Sequence, residues 1–316
     1  MKKILYTLFF ISFLPLVAND SYGWNIPDSS INIGGYLDLT YDDKRDEKFL
    51  FNDIAMLLSV SKEHWSFLGE LEFTHISLDG KSNSSRDIDM NLERFQLTYV
   101  LNDEQSIKVG RFNSDVGYWN QAPIPILEDT TTVPHMIGNF FPKATTGISF
   151  QQIINEGNSV SFTFQDNQDI AHQDNAIEVN NHKAIAYYGE EEDLSWRVSL
   201  GEYREDNYKK ARYFGVGSEY EGEEFSIQSE LFTQKADSLE EKPYSGYVQS
   251  TWHVEDRQDA VVRFEAYKDN ALEVEEQVYL LGYTYRPSSH TALKGEYIHH
   301  TKLPLNRFVY SISVLF

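Results

Sequence analysis

Six charged residues lie in or beside one segment of the chain, residues 112–144, and these are best placed to do chemistry. They are Arg94, Lys108, Arg111, Asp115, Glu128 and Asp129. Bases on one side of a water-filled space and acids on the other create a field that orders water and discriminates among charged solutes. We therefore predict an ion-selecting constriction in which the three bases face the three acids.

The same segment carries two aromatic residues, Tyr118 and Trp119, that could contact a solute by stacking or could anchor the segment by packing against protein. It also holds four of the nine prolines and many apolar residues. Because structureless segments of this length are usually functional, we expect it to contribute to the site.

The sequence gives little support for metal binding or for covalent catalysis. Cysteine is absent, which excludes disulfides and thiolate metal sites, and the nine histidines are scattered. A hydrolase needs serine, histidine and a carboxylate together, but Ser250 and His253 are three residues apart in one predicted strand and face opposite sides. We predict no metal site, no cofactor and no catalytic residue, and therefore no enzyme.

The composition fits a membrane barrel. Mean hydropathy is −0.47 and 24% of residues are charged, yet 14% are aromatic. In a barrel only every second residue of a strand must be apolar, which reconciles these values. The formal net charge of −22 argues against nucleic acid as a partner, because binding phosphates requires clustered lysine and arginine.

Sixteen segments from Ile31 onward alternate apolar and polar residues, as in the row Leu194, Trp196, Val198 and Leu200. Seven short polar connections interleave with eight longer ones, of which residues 112–144 are the third. This arrangement predicts an all-β fold, a transmembrane antiparallel β-barrel of about 16 strands over residues 24–316.

Both ends of the chain indicate export. Two lysines and an apolar stretch predict a signal peptide over residues 1–23, cut after Ala18 or Gly23. The last strand, Arg307 to Phe316 (RFVYSISVLF), ends in an aromatic residue. Its outer face is apolar and carries Phe308, Tyr310, Ile312, Val314 and Phe316.

A terminal strand of this kind behind a signal peptide resembles that of Gram-negative outer-membrane porins, and the stretch KVGRFNSDVGYWN resembles the strand-to-loop passage of phosphate-selective and related porins. The resemblance implies a third loop, residues 112–144, folded into the lumen to narrow it. It also implies a homotrimer that contacts outer-membrane lipid and lipopolysaccharide. The barrel-assembly machinery would recognise Tyr310, Ile312, Val314 and Phe316.

Three tryptophans, Trp65, Trp196 and Trp252, lie next to short connections, so we predict an aromatic girdle at the periplasmic end of the barrel. The expected function is a water-filled channel for passive diffusion of small hydrophilic solutes and ions. Two alternatives stay open: a substrate-specific channel for a sugar or for an organic or phosphate anion, and a barrel-embedded hydrolase.

Overall fold

The computed structural model describes residues 23–26, 29–78, 89–121, 124–171, 177–205, 210–237, 243–269 and 274–316. The predicted signal peptide, apart from Gly23, lies outside the described residues. No helix in these ranges is both long enough and apolar enough to cross a membrane.

Sixteen long strands form the structure, each within a few residues of its predicted position. They are β1 (Ile31–Asp42), β2 (Phe49–Lys62), β3 (Trp65–Ser77), β4 (Asp89–Asn102), β5 (Gln105–Asn113), β6 (Ala144–Asn155), β7 (Asn158–Gln165), β8 (Val179–Glu191), β9 (Leu194–Glu205), β10 (Lys210–Glu221), β11 (Phe225–Ala236), β12 (Tyr244–Glu255), β13 (Gln258–Asp269), β14 (Val274–Ser288), β15 (Thr291–His300) and β16 (Arg307–Leu315). A two-residue strand, Trp24–Asn25, also pairs with the start of β1, and the sequence pattern did not indicate it.

Every strand pairs antiparallel with its neighbour in the chain, and the last strand pairs with the first. At this seam Tyr310 lies opposite Tyr41 and Leu315 opposite Tyr36. Beyond the end of β16, the Phe316 carbonyl accepts a hydrogen bond from Gly35 N at 2.8 Å, and Phe316 N donates to the Gly35 carbonyl at 2.9 Å. The predicted closed barrel of sixteen strands is confirmed.

The connections at one end of the barrel are tight turns, and three of them use a non-glycine residue in the left-handed region: Glu63, Glu192 and Arg257. The eight connections at the other end are longer, and the one between β5 and β6, which we call loop 3, is the longest. Within loop 3 are two short 3-10 turns, Trp119–Gln121 and Pro125–Leu127.

The two faces of the barrel wall differ in the way that strand alternation predicts. Outward residues are apolar and exposed, for example Met56, Leu231 and Leu281, whereas buried charged residues such as Asp38 and Glu230 face inward. Arg212 shares its face with the exposed Phe214 and Val216. It therefore faces outward, where it lies 3.5 Å from Glu202.

The three predicted girdle tryptophans lie on the outer surface at the end with the tight turns. Trp65 and Trp252 are exposed, and the Trp65 ring contacts that of Tyr99 with centroids 4.3 Å apart. The Trp196 ring lies across Gly189 on the neighbouring strand, so closely that a Cβ there would come within 2.4 Å of it. Their location agrees with a girdle, and that role stays a prediction.

The largest apolar cluster lies between loop 3 and buried residues of the wall. Apolar side chains of loop 3 pack there against inward aromatic residues of β9 to β12. The cluster contains Val116, Trp119, Met136, Phe140 and Phe141 from the loop and Tyr203, Tyr213, Phe232 and Tyr247 from the wall. This packing fixes the loop next to the charged inner wall, where the candidate site lies.

Candidate functional site

Buried carboxylates of the inner wall hold the backbone of loop 3. Glu230 on β11 accepts hydrogen bonds at 2.9 Å from the backbone N–H groups of both Tyr118 and Trp119 on one oxygen, Oε1. The Tyr247 hydroxyl donates to the same oxygen at 3.0 Å. Hydrogen bonds to a charged acceptor are stronger than neutral ones, so Glu230 anchors the first part of the loop.

Two further glutamates repeat this arrangement along the loop. Glu296 on β15 accepts from the backbone N–H groups of Thr131 and Thr132 and, at 2.8 Å, from the Thr132 hydroxyl. Glu265 on β13 accepts from the backbone N–H of His135 at 3.0 Å. Three inward carboxylates on three strands therefore bind three successive parts of the loop.

Basic residues of the wall complete the docking. Arg263 donates to the hydroxyls of Thr130 and Thr132 at 2.9 and 3.0 Å. Lys294 donates through Nζ to the backbone carbonyls of Pro125 and Thr130. These inward cations are directed at the polar atoms of the loop.

A cavity of about 370 Å³ remains between loop 3 and the opposite wall. The wall strands that line it are mainly β1 to β4, together with β15 and β16. Its charged lining consists of Asp38, Asp42, Arg45, Asp53, Glu72, Glu93, Glu128, Lys143, Lys294 and Arg307. Acids outnumber bases in this lining, and most of the acids are on the wall.

Three of these acids, Asp38, Asp53 and Glu72, lie side by side on β1, β2 and β3, and we call them the acidic row. Asp38 lies directly opposite Asp53 in the strand register. Glu72 lies opposite Ala55, which follows Asp53 by two residues on the same face of β2. Like charges in directly opposed positions repel one another, so the row is costly to the fold.

Two loop residues that line the cavity, Glu128 and Lys143, have shifted pKa values. Burial within the barrel raises the pKa of Glu128 to about 8, although Lys294 and Lys143 act in the opposite direction. Burial would lower the pKa of Lys143, but the nearby carboxylates of Glu93 and Glu72 outweigh it and raise that pKa above its usual value. Lys143 therefore stays charged, 3.1 Å from Glu93.

The six predicted constriction residues do not form one opposed set. Arg94 is paired with Glu70, and Lys108 lies 3.4 Å from Asp115. Asp129 lies 2.9 Å from Arg286 on β14. Lys108 on the wall thus faces Asp115 of the loop as predicted, whereas Arg94 and Asp129 pair with residues outside the predicted six.

Arg111 and Glu128 differ in their position relative to the cavity. Arg111 is only 1% exposed, donates to Asp169 at 3.0 Å and to the Glu93 carbonyl, and does not line the cavity. Glu128 is the member of the predicted six that lines it. The charged groups that act on Glu128 include the bases Lys294, Lys143 and Arg263 and the acid Asp38.

The two predicted solute contacts are both buried. Tyr118 stacks beside the guanidinium of Arg197, with 5.2 Å from the ring centroid to Cζ, and its hydroxyl lies 2.8 Å from Ser195 Oγ. Trp119 packs edge-on against Tyr247 and also lines the cavity. Both residues therefore anchor the loop, and Trp119 also borders the cavity.

One chain of hydroxyl and imidazole groups resembles part of a catalytic relay. Thr145 Oγ1 lies 2.8 Å from Ser114 Oγ and 2.9 Å from His182 Nδ1, and His182 Nε2 lies 2.9 Å from the Tyr213 hydroxyl. Ser114, Thr145 and His182 are all fully buried, so no substrate can reach the hydroxyls. In the described part of the chain, no three histidine or acidic side chains are arranged to hold a metal ion.

Sequence reasoning did not single out Asp38, Asp53 or Lys143. Asp38 and Asp53 lie within strands predicted correctly, and their inward position follows from alternation alone. A signal was therefore present in the charged residues of β1 to β3, but strand positions do not reveal which part of the wall loop 3 leaves uncovered.

Comparison with known proteins identifies the fold. No protein-family model and no curated protein matches the sequence. An anion-selective porin from Comamonas acidovorans aligns over 92% of this chain and 100% of its own, with 15% identity and a TM-score of 0.68. OmpT, expressed in the outer membrane of Vibrio cholerae, aligns over 93% and 99%, with 11% identity and a TM-score of 0.66. A triple mutant of the Rhodopseudomonas blastica porin aligns over 90% and 99%, with 13% identity and a TM-score of 0.56. The chain is thus a closed sixteen-stranded barrel with the fold of outer-membrane porins, and its apolar outer face fits it to the outer membrane of a Gram-negative bacterium.

Proposed function

We propose that the protein is a porin, a water-filled channel for passive diffusion of small hydrophilic solutes and ions. The observation that carries this proposal is the charged cavity inside a closed barrel, beside a loop hydrogen-bonded to the inner wall. Sixteen strands enclose more space than their own side chains fill, so a path for water is expected.

In this proposal loop 3 narrows the channel. Most of its hydrogen bonds to the wall are with β9 to β16, and the cavity that remains lies along β1 to β4. Solutes would then pass between the loop and the acidic row. Glu128 and Trp119 would meet them from the loop side.

We propose a channel rather than an enzyme. The Ser114, Thr145 and His182 chain has no access for a substrate. A substrate-specific channel would share the same barrel and differ only in saturable transport. The measurement below therefore includes a concentration series.

We also propose a homotrimer, in contact with outer-membrane lipid and lipopolysaccharide and assembled through its C-terminal strand. A structure of Vibrio cholerae OmpT folded in vitro is described as a trimer form, which is said of that protein. The exposed apolar outer face of this barrel offers the surface that lipid and neighbouring subunits require.

The test is reconstitution of the folded protein in a planar bilayer. We expect stepwise, ohmic openings in groups of three whose size rises in proportion to salt concentration. Saturation at low concentration of a sugar or an organic anion would instead indicate the substrate-specific alternative. Absence of conductance from protein shown to be folded by its β-sheet circular dichroism would overturn the channel proposal. Hydrolysis of ester or peptide substrates by the same non-conducting preparation would favour an enzyme.

A further inference from the structure

A strongly positive patch lies on the outer surface of β8 to β11, at the end of the barrel with the long loops. We call it the basic patch, and its members are Lys183, Arg204, Lys210, Arg212 and Lys235. Alternation along the strands places all five on the outward face, and the acid Glu202 shares that face with them. Five bases beside one acid contrast with the whole chain, whose formal net charge is −22.

The strand register brings these charges together. Glu202 lies directly opposite both Lys183 and Arg212, and Arg212 lies opposite Lys235 on the next strand. Neighbouring strands are about 4.8 Å apart, so these four residues form one row across four strands. The other two bases of the patch lie opposite each other, one step nearer the loops.

Glu202 neutralises only part of the patch. Its carboxylate lies 2.8 Å from Lys210 Nζ and 3.5 Å from Arg212 Nε. The Arg212 side chain is 62% exposed, and a guanidinium carries five N–H donors in one plane. Arg212 therefore retains donors that can bind another anion.

The remaining three bases of the patch are Lys183, Arg204 and Lys235, all exposed. Two further acids are close to them in sequence: Glu205 ends β9 and Asp237 follows β11, both on the loop side of the patch. Among the described residues, no acid forms an ion pair with any of these three bases. The outward face therefore keeps an excess of positive charge.

A second observation indicates what kind of anion this surface fits. The outward residues beside the patch and toward the tight turns are apolar and exposed, namely Phe164, Ile185, Leu200, Phe214 and Leu231. Lys183 also lies over the Phe164 ring, with 5.5 Å from Nζ to the ring centroid. Charge at the loop end and apolar surface next to it match a lipid that has an anionic headgroup, because its acyl chains need the apolar part. A soluble anion would use the charged part alone.

We infer that the basic patch binds the phosphate groups of lipopolysaccharide in the outer leaflet, while acyl chains lie along the apolar residues beside it. This inference rests on the proposed contact with lipopolysaccharide and assigns that contact to a surface. The long loops of such barrels are extracellular, which puts the patch at the level of the outer-leaflet headgroups. Arginine and lysine are the side chains that bind phosphate, arginine through two parallel N–H donors.

The experiment measures lipid binding to the folded full-length mature barrel by native mass spectrometry, with diphosphorylated lipid A as the probe. The patch variant is Arg212→Gln/Lys235→Gln, which leaves Glu202 its contact with Lys210. The matched control, Lys62→Gln/Arg257→Gln, removes one lysine and one arginine that are exposed at the opposite end. We expect the Kd for lipid A to rise at least fivefold in the patch variant and to change less than twofold in the control.

Equal Kd values for the patch variant and the control would overturn the inference, as would equally tight binding of dephosphorylated lipid A to the wild type. Displacement of lipid A by an equal concentration of inorganic pyrophosphate would instead indicate a site for a soluble anion. Loss of the trimer in the patch variant, with lipid binding unchanged, would assign the patch to a contact between subunits.

The failure of this inference can be told apart from failure of the proposed function. Wild-type protein that conducts in a bilayer but binds no lipid A would overturn the lipid contact and leave the channel intact. If the double variant does not fold, Lys235→Gln carries the test, since that exposed side chain has no ion pair among the described residues. We expect it to raise the Kd at least twofold, and an unchanged Kd would overturn the inference.

Discussion

Replacing Glu230 with alanine should release the first part of loop 3 from the wall. The substitution removes the acceptor of two backbone N–H groups, each 2.9 Å from Oε1. A hydrogen bond to a charged group contributes about 1.5–3 kcal/mol, so two contribute about 3–6 kcal/mol. Water entering the vacated space offsets part of this, and we take the lower value of about 3 kcal/mol. Since 1.36 kcal/mol corresponds to a factor of ten, local opening should become about 100-fold more frequent.

Hydrogen exchange followed by mass spectrometry measures this opening directly. The peptide containing Tyr118 and Trp119 should exchange about 100-fold faster in Glu230→Ala, while the peptide containing Thr131 and Thr132 should change little. Glu296→Ala is the matched control, because it should reverse the pattern by releasing Thr131 and Thr132. Equal exchange in the wild type and Glu230→Ala would refute the anchoring role, and simultaneous release of both peptides by either variant would refute independent anchors.

Three further predictions concern the cavity and the seam of the barrel. Because burial raises the pKa of Glu128 to about 8, its carboxyl gains negative charge as pH rises from 7 to 9. Cation preference in bilayer recordings should therefore rise over that interval, and Glu128→Gln should abolish the rise. Gly35→Ala would place a Cβ 2.3 Å from the Ala55 carbonyl oxygen, so denaturant unfolding should show a loss of about 1–3 kcal/mol. Gly282→Ala, whose nearest neighbouring atom is 3.4 Å away, should lose less, and an equal loss would contradict the steric argument. Phe316→Ala removes the terminal aromatic of the predicted assembly signal, so the amount of folded barrel in the outer membrane should fall severalfold. Phe308→Ala on the same face serves as its control.

The sequence predicted the barrel well because each strand is encoded locally. Period-two alternation and polar turns located all sixteen strands, and the terminal strand carries its apolar residues outward as expected. Local irregularities were harder to foresee. The strand register shifts between Asp38 and Leu39 in β1, and it shifts again between Glu70 and Leu71 in β3.

The site was predicted less well because it depends on contacts between distant parts of the chain. The pattern indicated that loop 3 would contact protein, and its apolar residues do pack against buried residues of the wall. It could not indicate that Arg286 would pair with Asp129, or that most of the loop's hydrogen bonds would go to β9 to β16 and leave a cavity along β1 to β4. Those outcomes depend on the path of the loop through the interior, which no local periodicity encodes.

The docking of loop 3 also has a consequence for the order of events during assembly. The loop follows β5, but the glutamates that bind its backbone lie 111 to 165 residues away in the chain, on strands β11, β13 and β15. The loop cannot reach its final position until those strands are in place. Narrowing of the passage is therefore a late event, and a barrel caught before it would be wider, with Glu230, Glu265 and Glu296 facing water instead of the loop.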